Sequence, residues 1–313
     1  MNHPMPQIHL NSHPTPVSRL VYGCMRIGGT REPTPIDDQQ RKIAYQAIET
    51  ALEAGYTCFD HADFYRRHKS ELVFGDFLRE HPGLRDQLFI QSKCGMRGDY
   101  FDASGEHLRN SVEGSLRRLG IERLDMLLLH RPDALIEPEE VAQAIDDLVQ
   151  AGKLRHFGVS NHTVQQMELL RRTLRQPIVA NQMEFSLAQP ALVMEGLEAN
   201  LPQPGSGALA TGILDYCRLH DIRVQAWSPL GGGKLLTEGH PALARIRAFA
   251  LEWGVPEEAI VMAWILRHPA GIQPVVGSCT PERIRAAAKG CDITISRPHW
   301  YELLTAAIGR RLP

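Results

Sequence analysis

Short apolar runs alternate with amphipathic segments along most of the chain. In the amphipathic segments, apolar residues recur three or four positions apart, which is the spacing of one helix face. Segment 40–54 shows this spacing, and Gly55 follows where a helix would end. The predicted helices are 40–54, 70–80, 104–119, 138–151, 164–174, 209–220, 241–253, 257–267 and 281–289. The predicted strands are 20–24, 57–60, 88–94, 124–130, 154–160, 178–182, 223–227 and 272–276.

This alternation favours a single (β/α)₈ TIM barrel, the α/β fold in which each strand is followed by a helix. No composition break is long enough to be a linker, so residues 1–313 are predicted to form one domain. Residues 1–16 are expected to be a loose arm or an edge strand. The stretch 184–211 is rich in proline and glycine towards its end, and 198–211 is predicted to be a loop insertion. A doubly wound sheet is the alternative, but the early glycines lack its G-x-G-x-x-G spacing.

Composition and charge exclude several classes of function. The chain has 313 residues, 43% of them hydrophobic, and a net charge of −2 without a basic block, so no nucleic-acid partner is expected. The first sixteen residues lack the apolar core of a signal peptide, and no later run is long enough to span a bilayer. None of the six cysteines lies in a CxxC pair. We therefore expect a cytoplasmic protein with free thiols and no membrane insertion.

Polar residues recur at the carboxyl ends of the predicted strands. In a parallel barrel these ends converge on one mouth, where ligands bind. Because six strands show the pattern and the amino ends show no such set, a site at the mouth is predicted. These polar residues are Asp60, Lys93, His130, Ser160, Asn161, Gln182, Trp227 and Ser228.

The stretch from Gly55 to Tyr65 carries the chemistry that organises this site. Asp60 ends an apolar run, and the phenol of Tyr65 follows five residues later. A lysine beside Tyr65 would favour the phenolate, and Asp60 would keep that lysine charged and oriented. His130 could donate a hydrogen bond to a carbonyl oxygen or pass a proton. Such a set could polarise a carbonyl group and protonate its oxygen, as reduction by hydride requires.

Several motifs together resemble the aldo-keto reductase superfamily. They are residues 55–65, Lys93, the run 127–133 around His130, and the segments 157–161, 181–182 and 227–233. The resemblance covers residues 18–288, and the His-Arg-Pro-Asp and Trp-Ser-Pro-Leu-Gly-Gly-Gly forms are most similar to a bacterial oxidoreductase branch. It implies a (β/α)₈ barrel that reduces an aldehyde or ketone to an alcohol with a nicotinamide cofactor.

The resemblance also implies roles for individual residues. Tyr65 would be the general acid, and Asp60, Lys93 and His130 would complete the catalytic tetrad. Trp227 would stack on the nicotinamide, while Ser160, Asn161 and Gln182 would bind its carboxamide. The other implied cofactor-binding residues are Gly23, Cys24 and Met25 near the first strand, Ser228, Leu230 and Gly232 around the pyrophosphate, and Gly277, Ser278, Thr280 and Arg283 in the adenosine-phosphate segment.

NADP(H) is the favoured cofactor, chiefly through Arg283, and NAD(H) is not excluded because Gly277 replaces a lysine that many family members have. Two other functions remain as alternatives. One is a nucleotide-sensing regulatory subunit with weak or no turnover. The other is a metal-dependent hydrolase using Asp60, His61, Asp63 and His130, although their spacing does not match a metal site. No metal is therefore expected.

Substrate specificity is expected to depend on loops at the mouth, because mouth loops vary while the barrel stays constant. These loops are 26–38, 97–102 and the segment after Arg297. A small-molecule carbonyl substrate is expected, but the sequence indicates neither its identity nor the oligomeric state.

Overall fold

Eight parallel strands close into a barrel in the computed structural model, within the part of the chain that it describes: residues 5–10, 16–198 and 212–313. The barrel strands are β3 (Val21–Gly23), β4 (Cys58–Asp60), β5 (Phe89–Cys94), β6 (Leu124–Leu129), β7 (Leu154–Ser160), β8 (Ile178–Glu184), β9 (Arg223–Trp227) and β10 (Gln273–Val276). They are hydrogen-bonded in chain order, and β10 closes the barrel against β3. The predicted (β/α)₈ barrel is confirmed.

Helices surround the barrel and bury their apolar faces against it. They are α1 (Asp38–Glu53), α2 (Lys69–Glu80), α3 (Gly105–Leu119), α4 (Pro138–Gln150), α5 (Val164–Arg171), α6 (Ala191–Leu197), α7 (Ile213–Leu219), α8 (Leu243–Trp253), α9 (Glu257–Leu266), α10 (Pro281–Ala288) and α11 (Arg297–Ile308). Short 3₁₀ helices occupy Cys24–Gly28, Arg85–Gln87, Gly231–Leu236 and Lys289–Asp292. In the part of the chain described, no helix is long and apolar enough to cross a membrane.

An antiparallel pair of short strands closes the amino end of the barrel. Strand β1 (Gln7–Ile8) pairs with β2 (Val17–Ser18), and the β2 residue Ser18 is bonded to Thr57, which precedes β4. Leu10 and Val17 are buried in a cluster with interior residues of the barrel strands. The amino end is therefore packed with side chains, and the carboxyl end is the end available for ligands.

Two segments differ from the sequence prediction. Helix α6 lies before the predicted insertion, in a part of the stretch 184–211 for which no helix was predicted. Burial of Leu192, Val193 and Met194 compensates for a helix of only seven residues. Most of the predicted insertion 198–211 lies outside the described residues.

The segment after Arg297 is also not a mouth loop. It forms α11, whose Trp300 stacks on Trp264 of α9 with ring centroids 5.0 Å apart. Each indole N–H donates to the other residue's carbonyl oxygen, at 3.1 and 2.9 Å. Because α11 packs against α8 and α9, none of its described residues lines the cavity at the mouth.

Candidate active site

A buried ammonium group connects the acid and the phenol at the mouth of the barrel. Lys93 of β5 donates to Asp60 Oδ2 at 2.7 Å, to Tyr65 Oη at 2.9 Å and to the carbonyl oxygen of His61 at 2.9 Å. These three acceptors use all three ammonium hydrogens. Asp60 and Lys93 are 2% and 1% exposed, so water does not screen the pair.

Burial and charge set the protonation of these groups. Burial lowers the pKa of Lys93, but the adjacent Asp60 and Tyr65 outweigh it and raise the pKa above its ordinary 10.5. For Tyr65, burial raises the pKa above 10.0, although the charge of Lys93 acts to lower it. The charge of Lys93 acts on Tyr65 in the direction that the sequence predicts, but desolvation is larger and the net pKa is raised. Tyr65 is therefore a protonated phenol at neutral pH.

His130 faces Tyr65 across the mouth as a neutral imidazole. The two rings meet edge to face, with centroids 5.7 Å apart. Burial, reinforced by the charges of Lys93 and Arg131, lowers the pKa of His130 well below 6.5. Its Nδ1 is buried and has no hydrogen-bond partner among the described residues. At neutral pH the ring can position an oxygen atom by a hydrogen bond, but it carries no surplus proton to pass on.

The backbone after Tyr65 has an uncommon conformation. Arg66, Arg67 and His68 have φ values of 51°, 55° and 70°, which is the left-handed region. Non-glycine residues there cost about 1 kcal/mol or more each. The turn ends at α2, and the His68 ring is hydrogen-bonded to the Asp63 carbonyl group. The position of Tyr65 is thus fixed on one side by Lys93 and on the other by a strained turn.

A chain of side chains joins the next strand ends. Ser160 Oγ donates to the Gln182 carbonyl oxygen at 2.8 Å, and Asn161 Nδ2 donates to Ser160 Oγ at 2.8 Å. Asn161 Oδ1 accepts from Trp227 Nε1 at 3.0 Å, which holds the indole ring at the mouth. The guanidinium group of Arg131 lies 5.8 Å from the centre of the same ring.

These residues surround one cavity of about 490 Å³. Most of the site residues predicted from the sequence line it, namely Gly23, Met25, Asp60, Tyr65, His130, Ser160, Asn161, Gln182, Trp227, Ser228, Leu230, Gly232, Gly277, Ser278 and Arg283. Lys93 lies behind Asp60 and Tyr65 and does not line the cavity. Cys24 is buried in the core, and Thr280 is exposed at the start of α10, so neither lines the cavity.

Several residues that line the cavity were not predicted from the sequence. They are Arg26, Arg31, Arg131, Pro229, Gly233, Met262, Val275 and Val276. Arg131 is adjacent to His130 and could have been found from that position. Arg26 and Arg31 belong to the segment 26–38 that was predicted to lie at the mouth, but neither side chain was singled out as a binding residue. Neither has an ion-pair partner among the described residues, and Arg283 has Glu258 at 4.0 Å.

No group of three or more potential metal ligands occurs in the described ranges, so no observation favours the metal-dependent hydrolase. His61 and Asp63, which that alternative would use, are buried, and neither lines the cavity.

Comparison with known proteins gives matches over almost the whole chain. The Aldo/keto reductase family model matches residues 19–304. The 6-dehydroglucose reductase of Agrobacterium fabrum is 37% identical over 307 residues, covering 95% of this chain and 96% of that protein. Oxidoreductase YdhF of Escherichia coli is 36% identical over 278 residues, covering 85% and 88%. The crystal structure of an aldo-keto reductase from Klebsiella pneumoniae in complex with NADPH has a TM-score of 0.74 at 27% identity, covering 92% and 90%.

Proposed function

The chain belongs to the aldo/keto reductase family, and on that premise we propose that it reduces an aldehyde or ketone to an alcohol with NADPH, using Tyr65 as the general acid. The observation that carries the proposal is the contact of the Lys93 ammonium group with both Asp60 and Tyr65, at 2.7 and 2.9 Å. A phenol at the wall of a ligand-sized cavity, with the positive charge of Lys93 directly behind it, supports the role of Tyr65 as proton donor.

The residues of the cavity fit a phosphate-bearing dinucleotide. The cavity extends from Tyr65 and Gln182 at the strand ends to Ser278 and Arg283 at the start of α10. Arg26 and Arg31 lie along it without a carboxylate partner among the described residues, which suits an anionic ligand. The Klebsiella relative was crystallised with NADPH, which supports NADP(H) over NAD(H).

The side chains then perform three tasks. Bound NADPH supplies the hydride. Tyr65 and the neutral His130 hydrogen-bond the carbonyl oxygen and polarise it, and Tyr65 donates its phenolic proton to that oxygen as negative charge develops there. Lys93 stabilises the phenolate left behind, and Asp60 keeps the ammonium group charged through the cycle.

The relative named 6-dehydroglucose reductase makes a hydroxylated aldehyde a sensible first substrate, to be assayed beside an activated aromatic aldehyde.

Replacing Tyr65 with phenylalanine tests the proposed role directly. The change removes one hydroxyl group and preserves the ring that packs against His130. We expect turnover to fall by about 10³-fold or more, because general acid catalysis contributes about 10²–10⁴-fold, while the dissociation constant for NADPH stays within about threefold. NADPH oxidation and fluorescence titration of both proteins give the two quantities. Equal turnover in the two proteins would refute the role of Tyr65.

A further inference from the structure

Four buried glutamines form a layer across the barrel at the floor of the cavity. They come from different strands, Gln91 from β5, Gln182 from β8, Gln225 from β9 and Gln273 from β10, and each is 0–2% exposed. Gln225 lies directly opposite both Gln182 and Gln273 in the strand register. Their side chains are hydrogen-bonded to one another inside the barrel, where apolar residues usually fill the space. We name this set the glutamine layer.

The upper side of the glutamine layer is bonded to Asp60. Oδ1 of Asp60 accepts from Nε2 of Gln91 at 2.5 Å and from Nε2 of Gln182 at 3.1 Å. The same two nitrogen atoms donate to Oε1 of Gln225, at 2.9 and 3.0 Å. Both amide hydrogens of Gln182 are thereby used, one by the carboxylate of Asp60 and one by Gln225.

The lower side continues towards the amino end of the barrel. Nε2 of Gln225 donates to Oε1 of Gln91 at 3.0 Å and to Oε1 of Gln273 at 3.1 Å. Nε2 of Gln273 donates to the carbonyl oxygen of Ser18 at 2.9 Å. One end of the layer is an ionised carboxylate and the other is a backbone carbonyl group, and both can only accept hydrogen bonds. The positions of the N–H groups and the oxygen atom of every side-chain amide between them are therefore fixed.

This fixed direction decides which atom of Gln182 faces the cavity. If its amide turned by half a revolution, Oε1 would lie against the oxygen atoms of Asp60 and Gln225, and two buried donors would be lost. The observed orientation leaves Oε1 of Gln182, a cavity-lining residue, as the acceptor available to a ligand.

We propose that Gln225 is a positioning residue for the cofactor: with Asp60, it holds the Gln182 amide so that Oε1 accepts from the amide N–H of the nicotinamide carboxamide. The proposal rests on the function proposed above. It goes beyond the carboxamide contact implied for Gln182, because it specifies the accepting atom and assigns its orientation to a residue that does not line the cavity.

A cofactor analogue separates this orientation from general stability. In the 3-acetylpyridine analogue of NADP⁺, a methyl group replaces the amide nitrogen, so the analogue keeps the carbonyl group and has no N–H to donate. We expect the wild-type protein to bind NADP⁺ about tenfold more tightly than the analogue, because the analogue lacks one hydrogen bond to Oε1 of Gln182. In Gln225→Met we expect the preference to fall to about twofold, because the Gln182 amide loses one of the two acceptors that hold it and is no longer confined to one orientation.

Gln273→Met is the matched control. It makes the same chemical change in the same layer, at equal burial, but breaks bonds only to Gln225 and Ser18. We expect it to keep the preference of about tenfold. Isothermal titration calorimetry gives the two dissociation constants for each protein, so each ratio is measured within one folded protein. If Gln225→Met does not fold, the double variant Gln225→Met/Gln273→Met also removes the Gln273 amide, which has lost its hydrogen bond from Gln225. The double variant is then compared with Gln273→Met alone.

An unchanged preference in Gln225→Met, or an equal loss in Gln273→Met, would overturn the proposal. A wild-type protein that binds NADP⁺ and its analogue equally would also overturn it, while leaving the reductase function intact. A wild-type protein that binds neither dinucleotide would instead refute the proposed function itself.

Discussion

His61 is a buried titratable side chain that the proposed reaction does not use. It lies next to Asp60, is fully buried and packs edge-on against Phe74, with ring centroids 4.6 Å apart. Neither ring nitrogen has a hydrogen-bond partner in the described part of the chain. Burial, with a contribution from the charge of Lys93, lowers the pKa of His61 from 6.5 to about 3. The folded protein therefore holds this ring neutral, and the unfolded chain does not.

Replacing His61 with leucine is expected to change how stability depends on pH. Because the pKa of His61 is lower in the folded state, the unfolded state binds more protons below pH 6.5, and stability falls as the pH falls. Between pH 8 and pH 5 this one residue accounts for a loss of about 2 kcal/mol. As the pH falls from 8 to 5, the free energy of unfolding of His61→Leu minus that of wild type should therefore rise by about 2 kcal/mol. Urea unfolding of both proteins at the two pH values measures this difference.

An exposed histidine is the control for this experiment. His9 lies on the surface, and His9→Leu is the matched control for the removal of an exposed imidazole. If the difference between His61→Leu and wild type is the same at both pH values, His61 is not held neutral by burial.

At the scale of elements, α2 and α3 approach each other closely at a glycine. A Cβ on Gly75 would overlap the carbonyl oxygen of Arg118 and lie 2.9 Å from the Cα of Leu119. Helix α2 begins directly after the turn that follows Tyr65, and its Glu71 carboxylate is paired with Arg118 of α3 at 2.7 Å. The close approach therefore holds α2, which begins at that turn, against α3.

A pair of alanine substitutions tests that close approach. Gly75→Ala should lower the free energy of unfolding by about 3 kcal/mol or more, because the added Cβ overlaps the backbone of α3 and the packed helices cannot move apart without losing contacts. In Gly196→Ala, in α6, the added Cβ meets no atom of the described residues within 4 Å outside its own helix, and the change should be neutral or stabilising by up to about 1 kcal/mol. Thermal unfolding of both variants gives the comparison. Equal effects at the two sites would show that α2 and α3 can separate without cost.

Element boundaries were predictable wherever the local signal was strong. Ser104 was expected to cap a helix, and its hydroxyl group accepts from the His107 N–H at the start of α3. Helix α6 was missed because it is short and has no side-chain cap at its start. Helix α11 was missed although its ends carry local signals, the Ser296 cap and the left-handed Gly309, because the segment after Arg297 was interpreted as a mouth loop.

For the whole molecule, the site residues at the strand ends could be predicted from the sequence, but the arginines that the loop after β3 brings to the cavity could not. Asp60, Lys93 and His130 meet because parallel strands bring their carboxyl ends to one rim, and the alternation of elements alone indicates that geometry. Arg26 and Arg31 reach the cavity through the conformation of the loop after β3. The glutamine layer was also missed, apart from Gln182, because glutamines inside strands give no signal until the barrel closes.

The cations at the mouth should make cofactor binding depend on salt. The dissociation constant for NADPH is expected to rise with ionic strength, since partly exposed charges are screened. Arg31→Ala should weaken NADPH binding by about tenfold at low salt, equivalent to about 1.4 kcal/mol, and should flatten the salt dependence. Arg172→Ala, an exposed arginine at the end of α5, is the matched control. Fluorescence titration at several salt concentrations gives these values, and identical curves for Arg31→Ala and wild type would contradict the expectation.

The glutamine layer also has an evolutionary consequence. The side chains of Gln91, Gln225 and Gln273 both donate and accept, and that of Gln182 donates to two acceptors. A single replacement therefore leaves a buried donor or acceptor without its partner, at a cost of about 1–3 kcal/mol. Replacing adjacent members together by apolar residues avoids most of that cost. Among descendants of this sequence, Gln225 and Gln273 should therefore be inherited or lost as a pair, and an intermediate that has lost only one of them should be rare.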